Sequence, residues 1–259
     1  IKKIFNQIIV NKYYYNLLNL LYSVLTIMIC LVVVIITYRR LVYGIDFTDE
    51  SFYIAVPYRF VLGARPFIDE INLTQLAALL VFPFIKLFIM FTHSSDGIVL
   101  FTRHLYFFFN LLVGFVVFYT TKTYIKWQNS LLVALLCICF IPFNLANLSY
   151  NTLGTGFFTI TAFLGAWSVL KHKNFVYLFL TGIFSGLAIV SYPTLIIPLA
   201  VLLLMVIFNY QEKRSVGLIS FIIGGLLVGI VFLIIIWRAG IQNFYQNLSL
   251  LRPLLPNSF

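Results

Sequence analysis

The chain is poor in charge. Of its 259 residues only 9% are Asp, Glu, Lys or Arg while 62% are hydrophobic, too few polar side chains for one or two soluble domains of this length to cover themselves in water. Acids are scarcer still, 7 against 17 Lys and Arg, for a net charge of +10. In a soluble protein that balance would suggest nucleic acid. Here the bases are scattered between apolar runs, the pattern of topology signals facing anionic lipid, so no nucleic-acid partner is expected. The three cysteines, Cys30, Cys137 and Cys139, all lie inside apolar runs, and the Cys-x-Cys pair would point to different sides of a helix, which excludes a disulfide framework and a zinc site. Strict alternation is missing too. Residues 17–37 are uncharged and mostly apolar without alternation, whereas a transmembrane β-barrel would need strands of about ten residues alternating apolar with polar.

What is present is a series of uncharged runs. A helix needs about 20 apolar residues to cross roughly 30 Å of hydrocarbon, and runs of that order place spans at about 17–38, 100–121, 130–148, 154–170, 175–190, 194–210 and 215–237. The last run but one is continuous from 175 to 210, about 54 Å as a single helix, and is therefore expected to break at Ser191, Tyr192 and Pro193. The fold class is all-α: a polytopic membrane protein of about seven transmembrane helices in one module over residues 1–259, with a long first outer loop, residues 39–99, carrying interfacial helices. The first run follows Lys2, Lys3 and Lys12 and ends in Arg39 and Arg40 with no small-residue cleavage site, so it reads as an anchor and not as a removed signal peptide. The chain begins at Ile1 and stops at Phe259 in a polar segment, and it is expected to be the N-terminal part of a longer protein.

Residues 73–91 are apolar enough to cross but carry Pro83 and Lys86. If they lie on the surface, with the amino terminus inside, then Lys2, Lys3, Lys12, Lys122, Lys126, Lys171, Lys173, Lys213 and Arg214 all face the cytoplasm. If they cross, the last six move outside, against the positive-inside rule. An interfacial helix is the expectation. That orientation has an independent consequence: Asp46, Asp49, Glu50, Asp69, Glu70 and Asp96, six of the seven acids, fall in the one outer loop, where chemistry is then expected.

Within that loop Asp46-Phe-Thr-Asp-Glu-Ser-Phe-Tyr begins a helix, with Thr48 placed to cap it, Gly63 to end it and Pro57 to kink or break it. Asp49 and Glu50 in a first helical turn gain about 0.3 to 1 kcal/mol from the helix dipole, and that alone is one account of them. The Asp49-Glu50 pair with Tyr53 after the first span, then Leu62-Gly63 and Pro66-Phe67-Ile68-Asp69-Glu70, resembles the GT-C membrane glycosyltransferases, in particular the family-39-like branch of protein O-mannosyltransferases and the lipid A aminoarabinose transferase. Arg103 near the start of the second span, Ser149-Tyr150-Asn151 at an outer turn and Gly186-Leu-Ala-Ile-Val-Ser-Tyr-Pro193 continue the likeness over most of the chain. The resemblance implies a sugar transferase at the outer face of the cell membrane. It would use a polyprenyl-phosphate-linked sugar donor with a glycan, lipid or protein acceptor, and the acidic pair, here Asp49 and Glu50, would carry the catalytic carboxylate. Two departures stand out. Asn72-Leu73-Thr74-Gln75 replaces a Pro-rich aromatic segment, and Tyr192 stands where the aminoarabinose transferase has a lysine.

Such transfer needs a base for the acceptor hydroxyl, positive charge for the departing phosphate and a groove for the lipid tail. Asp49 is the first candidate for the base and Glu50 the second. Arg103, Arg238 and Arg252 are candidates for the phosphate, since a guanidinium grips two oxygens together; the alternative for Arg238 and Arg252 is an interfacial anchor. Asp69, Glu70 and Asp46 are placed to bind acceptor hydroxyls, or else to pair with Arg59 and Arg65. A divalent cation on Asp46, Asp49 and Glu50 is an open alternative with no metal-motif spacing behind it. Asn144, Asn147, Tyr150, Asn151 and Tyr192 are candidate sugar contacts at the rim. The rival functions are a lipid or lipid-linked-sugar flippase and a noncatalytic lipid-sugar-binding subunit. A carboxylate-coupled transporter would need an acid near the bilayer midplane, and none of the seven acids lies in an assigned span.

Overall fold

The computed structural model describes residues 2–44, 49–70, 72, 75–142, 145–172, 174–209 and 214–250, with the side chains of 2–13, 171–172, 209, 214 and 247–250 left aside. Among the described residues there is no strand, only an isolated bridge between Pro66 and Glu70. Ten α-helices follow in order: α1 (Lys2–Arg40), α2 (Asp49–Val61), α3 (Gln75–Thr92), α4 (Ile98–Thr121), α5 (Trp127–Cys139), α6 (Tyr150–Trp167), α7 (Phe175–Ser191), α8 (Ile196–Asn209), α9 (Arg214–Ala239) and α10 (Ile241–Leu250).

Five helical stretches are long and apolar enough to cross a bilayer, Tyr14–Arg40, Gln75–Thr92, Ile98–Thr121, Tyr150–Leu170 and Ser215–Ala239. The chain is a helical membrane protein. Three of the seven expected spans are shorter apolar helices. The run expected over 130–148 is helical only to Cys139, about 20 Å at 1.5 Å per residue, because Pro142 forces the residues before it out of the helical region. The run over 175–210 divides at the expected place: α7 ends at Ser191, Tyr192 is extended, and Pro193 opens a single 3₁₀ turn before α8. Pro57 does not break α2, which is continuous through it. Gly63 does end that helix. Its φ is +100°, and Gly63 N–H donates to Phe60 O while Ala64 N–H donates to Arg59 O at 3.0 Å, the paired closing bonds that a left-handed residue permits.

Lipid tails are as apolar as leucine, so helices in a bilayer associate through close packing and interhelical hydrogen bonds. α7 and α9 approach backbone to backbone. A Cβ on Gly182 would lie 2.0 Å from Phe221 O, and one on Gly186 would lie 2.9 Å from Val228 Cβ. The contacts climb both helices in step, so α7 and α9 run parallel and their C-terminal ends lie on one side. Between α3, α4 and α6 the core is Ala77, Val81, Ile85, Tyr106, Leu148 and Leu153. Val113, Val117, Ala134 and Ile160 fill the space between α4, α5 and α6. α1 is fastened to α5 by Tyr22 Oη donating to Asn129 Oδ1 at 2.6 Å and Gln128 Nε2 donating to Ser23 Oγ at 3.0 Å.

Both ends of α3 meet the same end of the bundle. Ala77 and Ala78 lie beside Ser149 and Tyr150 at the start of α6, and Phe88 stacks on Phe101 in the first turn of α4 with ring centroids 4.7 Å apart. By length and composition alone α3 could cross.

Candidate functional site

The site is assembled where α1 ends and α2, α4 and α6 begin. Arg103, in the second turn of α4, carries five N–H donors in a fixed fork. Nε donates to Glu50 Oε1 at 2.6 Å and Nη2 to Glu50 Oε2 at 2.5 Å, while Nη1 donates to Leu41 O at 2.7 Å and Nη2 also to Gly44 O at 2.8 Å. Glu50 is 3% exposed and Arg103 8%. One guanidinium therefore ties the end of α1, the turn after it and the first turn of α2 to α4. Both groups are engaged with each other, so neither is presented to a ligand.

Asp49 is different. One residue earlier it is turned about 100° around the helix, and it is exposed. Among the described residues it makes no ion pair. Four residues on, and so on the same face, stands Tyr53, whose ring lies edge-on to Tyr150 with centroids 5.6 Å apart; Tyr150 in turn lies edge-on to Tyr192 at 5.2 Å. Burial pushes the Tyr53 hydroxyl pKa well up, reinforced by the neighbouring Tyr150 hydroxyl and by the negative charge of Asp49. Tyr53 accordingly keeps its proton and remains a donor throughout the physiological range.

Local sequence explains this tyrosine row. Ser149 caps α6: its Oγ accepts from Thr152 N–H at 3.2 Å, Thr152 Oγ1 accepts from Ser149 N–H at 2.7 Å, and the same hydroxyl donates to Asn147 O at 2.7 Å. This reciprocal cap fixes the first helical residue, Tyr150. One turn later Gly154 leaves the space that Tyr192 fills, since a Cβ there would sit 2.7 Å from Tyr192 Cβ. The gap behind the row, between Tyr53, Val56, Ala78 and Tyr150, is only about 10 Å³, room for no more than a water. A ligand would meet these rings from their outer side.

Asp69 and Glu70 are committed elsewhere. Arg59 Nη1 lies 2.6 Å from Glu70 Oε2, and Arg59 Nη2 donates to Asp69 O at 3.2 Å. Asp69 Oδ2 accepts from Arg65 N–H at 2.8 Å and from Arg65 Nε at 3.0 Å. These hydrogen bonds hold the Asp69 carboxyl below the usual carboxylate range. Phe67 sits at φ 62° with its N–H donating to Gln75 Oε1 at 2.8 Å. The pairing alternative, with Arg59 and Arg65, is the arrangement the structure adopts, and it makes this segment a locked loop. Asn151 is buried, and its carbonyl accepts from Thr155 Oγ1 at 2.7 Å. Arg238, exposed in the last turn of α9, lines a separate groove with Arg65. Asp46, Thr48, Asn144 and Arg252 lie outside the described residues. Among those described, no three His, Cys, Asp or Glu side chains converge as metal ligands. Of the trio Asp46, Asp49 and Glu50, Glu50 faces Arg103 and Asp49 faces outward.

No family model, no curated protein and no solved structure matches this chain.

Sequence reasoning brought Asp49, Tyr150 and Tyr192 together and placed Arg103 nearby. It gave no role to Tyr53, although its spacing of four from Asp49 was a usable signal. It also did not foresee Gly154, whose role depends on which residue packs opposite. The arrangement combines an exposed carboxylate, able to accept a proton, with a phenol that keeps its own proton, set in a row of aromatic faces.

Proposed function

We propose that this chain is the transmembrane module of a GT-C-type glycosyltransferase in the cell membrane, moving a sugar from a polyprenyl-phosphate donor to a hydroxyl acceptor at the outer face. The observation that carries the reading is the division of labour within the acidic pair. Glu50 is consumed by Arg103 as a brace, while Asp49, exposed and without an ion pair among the described residues, shares a helix face with Tyr53, from which the row continues to Tyr150 and Tyr192. In this reading Asp49 takes the proton of the acceptor hydroxyl, for which it must come within about 2.6 to 3.2 Å. Tyr53 and the two tyrosines beyond it offer donors and flat faces to a sugar ring. The contact of both ends of α3 with one end of the bundle supports a surface-lying α3; with the basic short segments on the inside, the first loop and its acids are then read as outer.

The test is transfer by the purified protein in liposomes, using polyprenyl-phosphate sugars as donors. Asp49→Asn should lower turnover at least about a hundredfold, the low end of what a positioned general base contributes, with insertion and donor binding unchanged. Wild-type turnover in that variant would overturn the assignment of Asp49.

A further inference from the structure

A second feature of the surface is independent of the tyrosine row. Arg238 stands between two apolar grooves. The first, about 460 Å³, runs between α3 and α9 and is walled by Ile68, Leu79, Phe82, Phe232 and Ile235, with Arg65 and Arg238 at its rim. The second is a shallow, open furrow on the outer face of α9 alone, lined by Ile230, Leu233, Ile234, Trp237 and Arg238. The first is within the size range of ligand pockets. Arg65 is occupied by Asp69. Arg238 makes no ion pair or hydrogen bond among the described residues, and it is the one charge the two grooves share.

The end of α9 also has the marks of the bilayer interface. Trp237 is 78% exposed, as aromatic residues at head-group level are. Gly240 then turns the chain, with φ +89°, into α10, whose apolar Phe244 packs on Phe67 of the loop. Arg238 thus stands beside an interfacial tryptophan with the α3–α9 groove on one side and the open α9 furrow on the other, and its guanidinium is suited to grip a phosphate through two oxygens.

We infer that Arg238 and its two flanking grooves form a binding site for an anionic diacyl phospholipid, with the phosphate on Arg238 and one acyl chain in each groove. A single isoprenoid chain would fill one groove and leave the other bare, which separates this site from any site for a polyprenyl-linked donor. The inference does not depend on Asp49 being a base.

Native mass spectrometry of the full chain, offered equal amounts of phosphatidylglycerol and phosphatidylcholine, tests it. Wild type should retain phosphatidylglycerol about fivefold over phosphatidylcholine, as one interfacial cation confers. Arg238→Gln should bring the ratio to about one, and Arg238→Lys should keep most of it. Lysophosphatidylglycerol, with one chain, should bind at least about fivefold more weakly than the two-chain lipid. Ile235→Trp and Leu233→Trp, which obstruct one groove each without changing charge, should each reduce retention. Asp49→Asn should change none of these ratios. Equal retention of both lipids by wild type, an unchanged ratio in Arg238→Gln, equal binding of the one-chain lipid, or one-for-one displacement by polyprenyl phosphate at lower concentration would each overturn the site.

Discussion

Replacing Glu50 with glutamine isolates the charge of the brace while keeping its shape. The guanidinium of Arg103 would then be buried with three neutral acceptors: Leu41 O, Gly44 O and the new amide oxygen. Removing one partner of a buried ion pair costs about 3 to 5 kcal/mol, and the retained carbonyl bonds set the expectation at the lower end, about 3 kcal/mol. At about 2 to 4 °C per kcal/mol for a chain of this size, thermal melting in detergent should fall by about 6 to 12 °C. Arg103→Met should cost more, because it strands a carboxylate and two carbonyls together. The double variant Glu50→Gln/Arg103→Met should be less damaging than the sum of the two, with a coupling of at least about 2 kcal/mol. A Glu50→Gln protein that melts within a degree of wild type, or a cycle additive to about 0.5 kcal/mol, would refute the claim that this pair holds the first loop in place.

Other outcomes follow from the packing and from charge. Gly182→Val should push α7 and α9 apart and cost about 1 to 3 kcal/mol or more, whereas Gly229→Ala, with open space at its Cβ, should be neutral or gain up to about 1 kcal/mol from helix propensity; melting of the two side by side decides. The Asp69 carboxyl titrates below its unfolded value near 3.9, so the 65–70 loop should resist proteolysis equally at every pH above that value and loosen only as pH falls through the folded one. Protection lost already at pH 6 would place the lock elsewhere. In a background without Cys30, Cys137 and Cys139, cysteines at positions 69 and 94 should both react with an impermeant thiol reagent from outside, and one at 172 only after the membrane is opened. Opposite sidedness of 69 and 94 would mean that α3 crosses.

The helical membrane class, the break before Pro193 and the stop at Gly63 were legible because each rests on local properties: composition, run length, proline and a left-handed residue. The end of α5 at Cys139 was harder to see. The apolar run continues past it, and hydropathy does not register the backbone restriction that Pro142 imposes. At the site, adjacency in sequence suggested that Asp49 and Glu50 shared a task, yet a helix turns consecutive side chains apart, and only the arrival of Arg103 from another helix decided which of them is exposed. The Arg59–Glu70 and Arg65–Asp69 pairs were readable as an alternative from proximity along the chain. The edge-on contact of Tyr150 with Tyr53 and Tyr192 was not, since it joins three segments distant in sequence.

Around Gly182 and Gly224 the backbones of α7 and α9 meet with no side chain between them, which holds the two helices as a single strut at that level. Tyr192 lies just past one tip of that strut and Arg238 just short of the other, on the same side. A side chain added at Gly182 or Gly224 would part the two helices there and so disturb the supports of both residues at once.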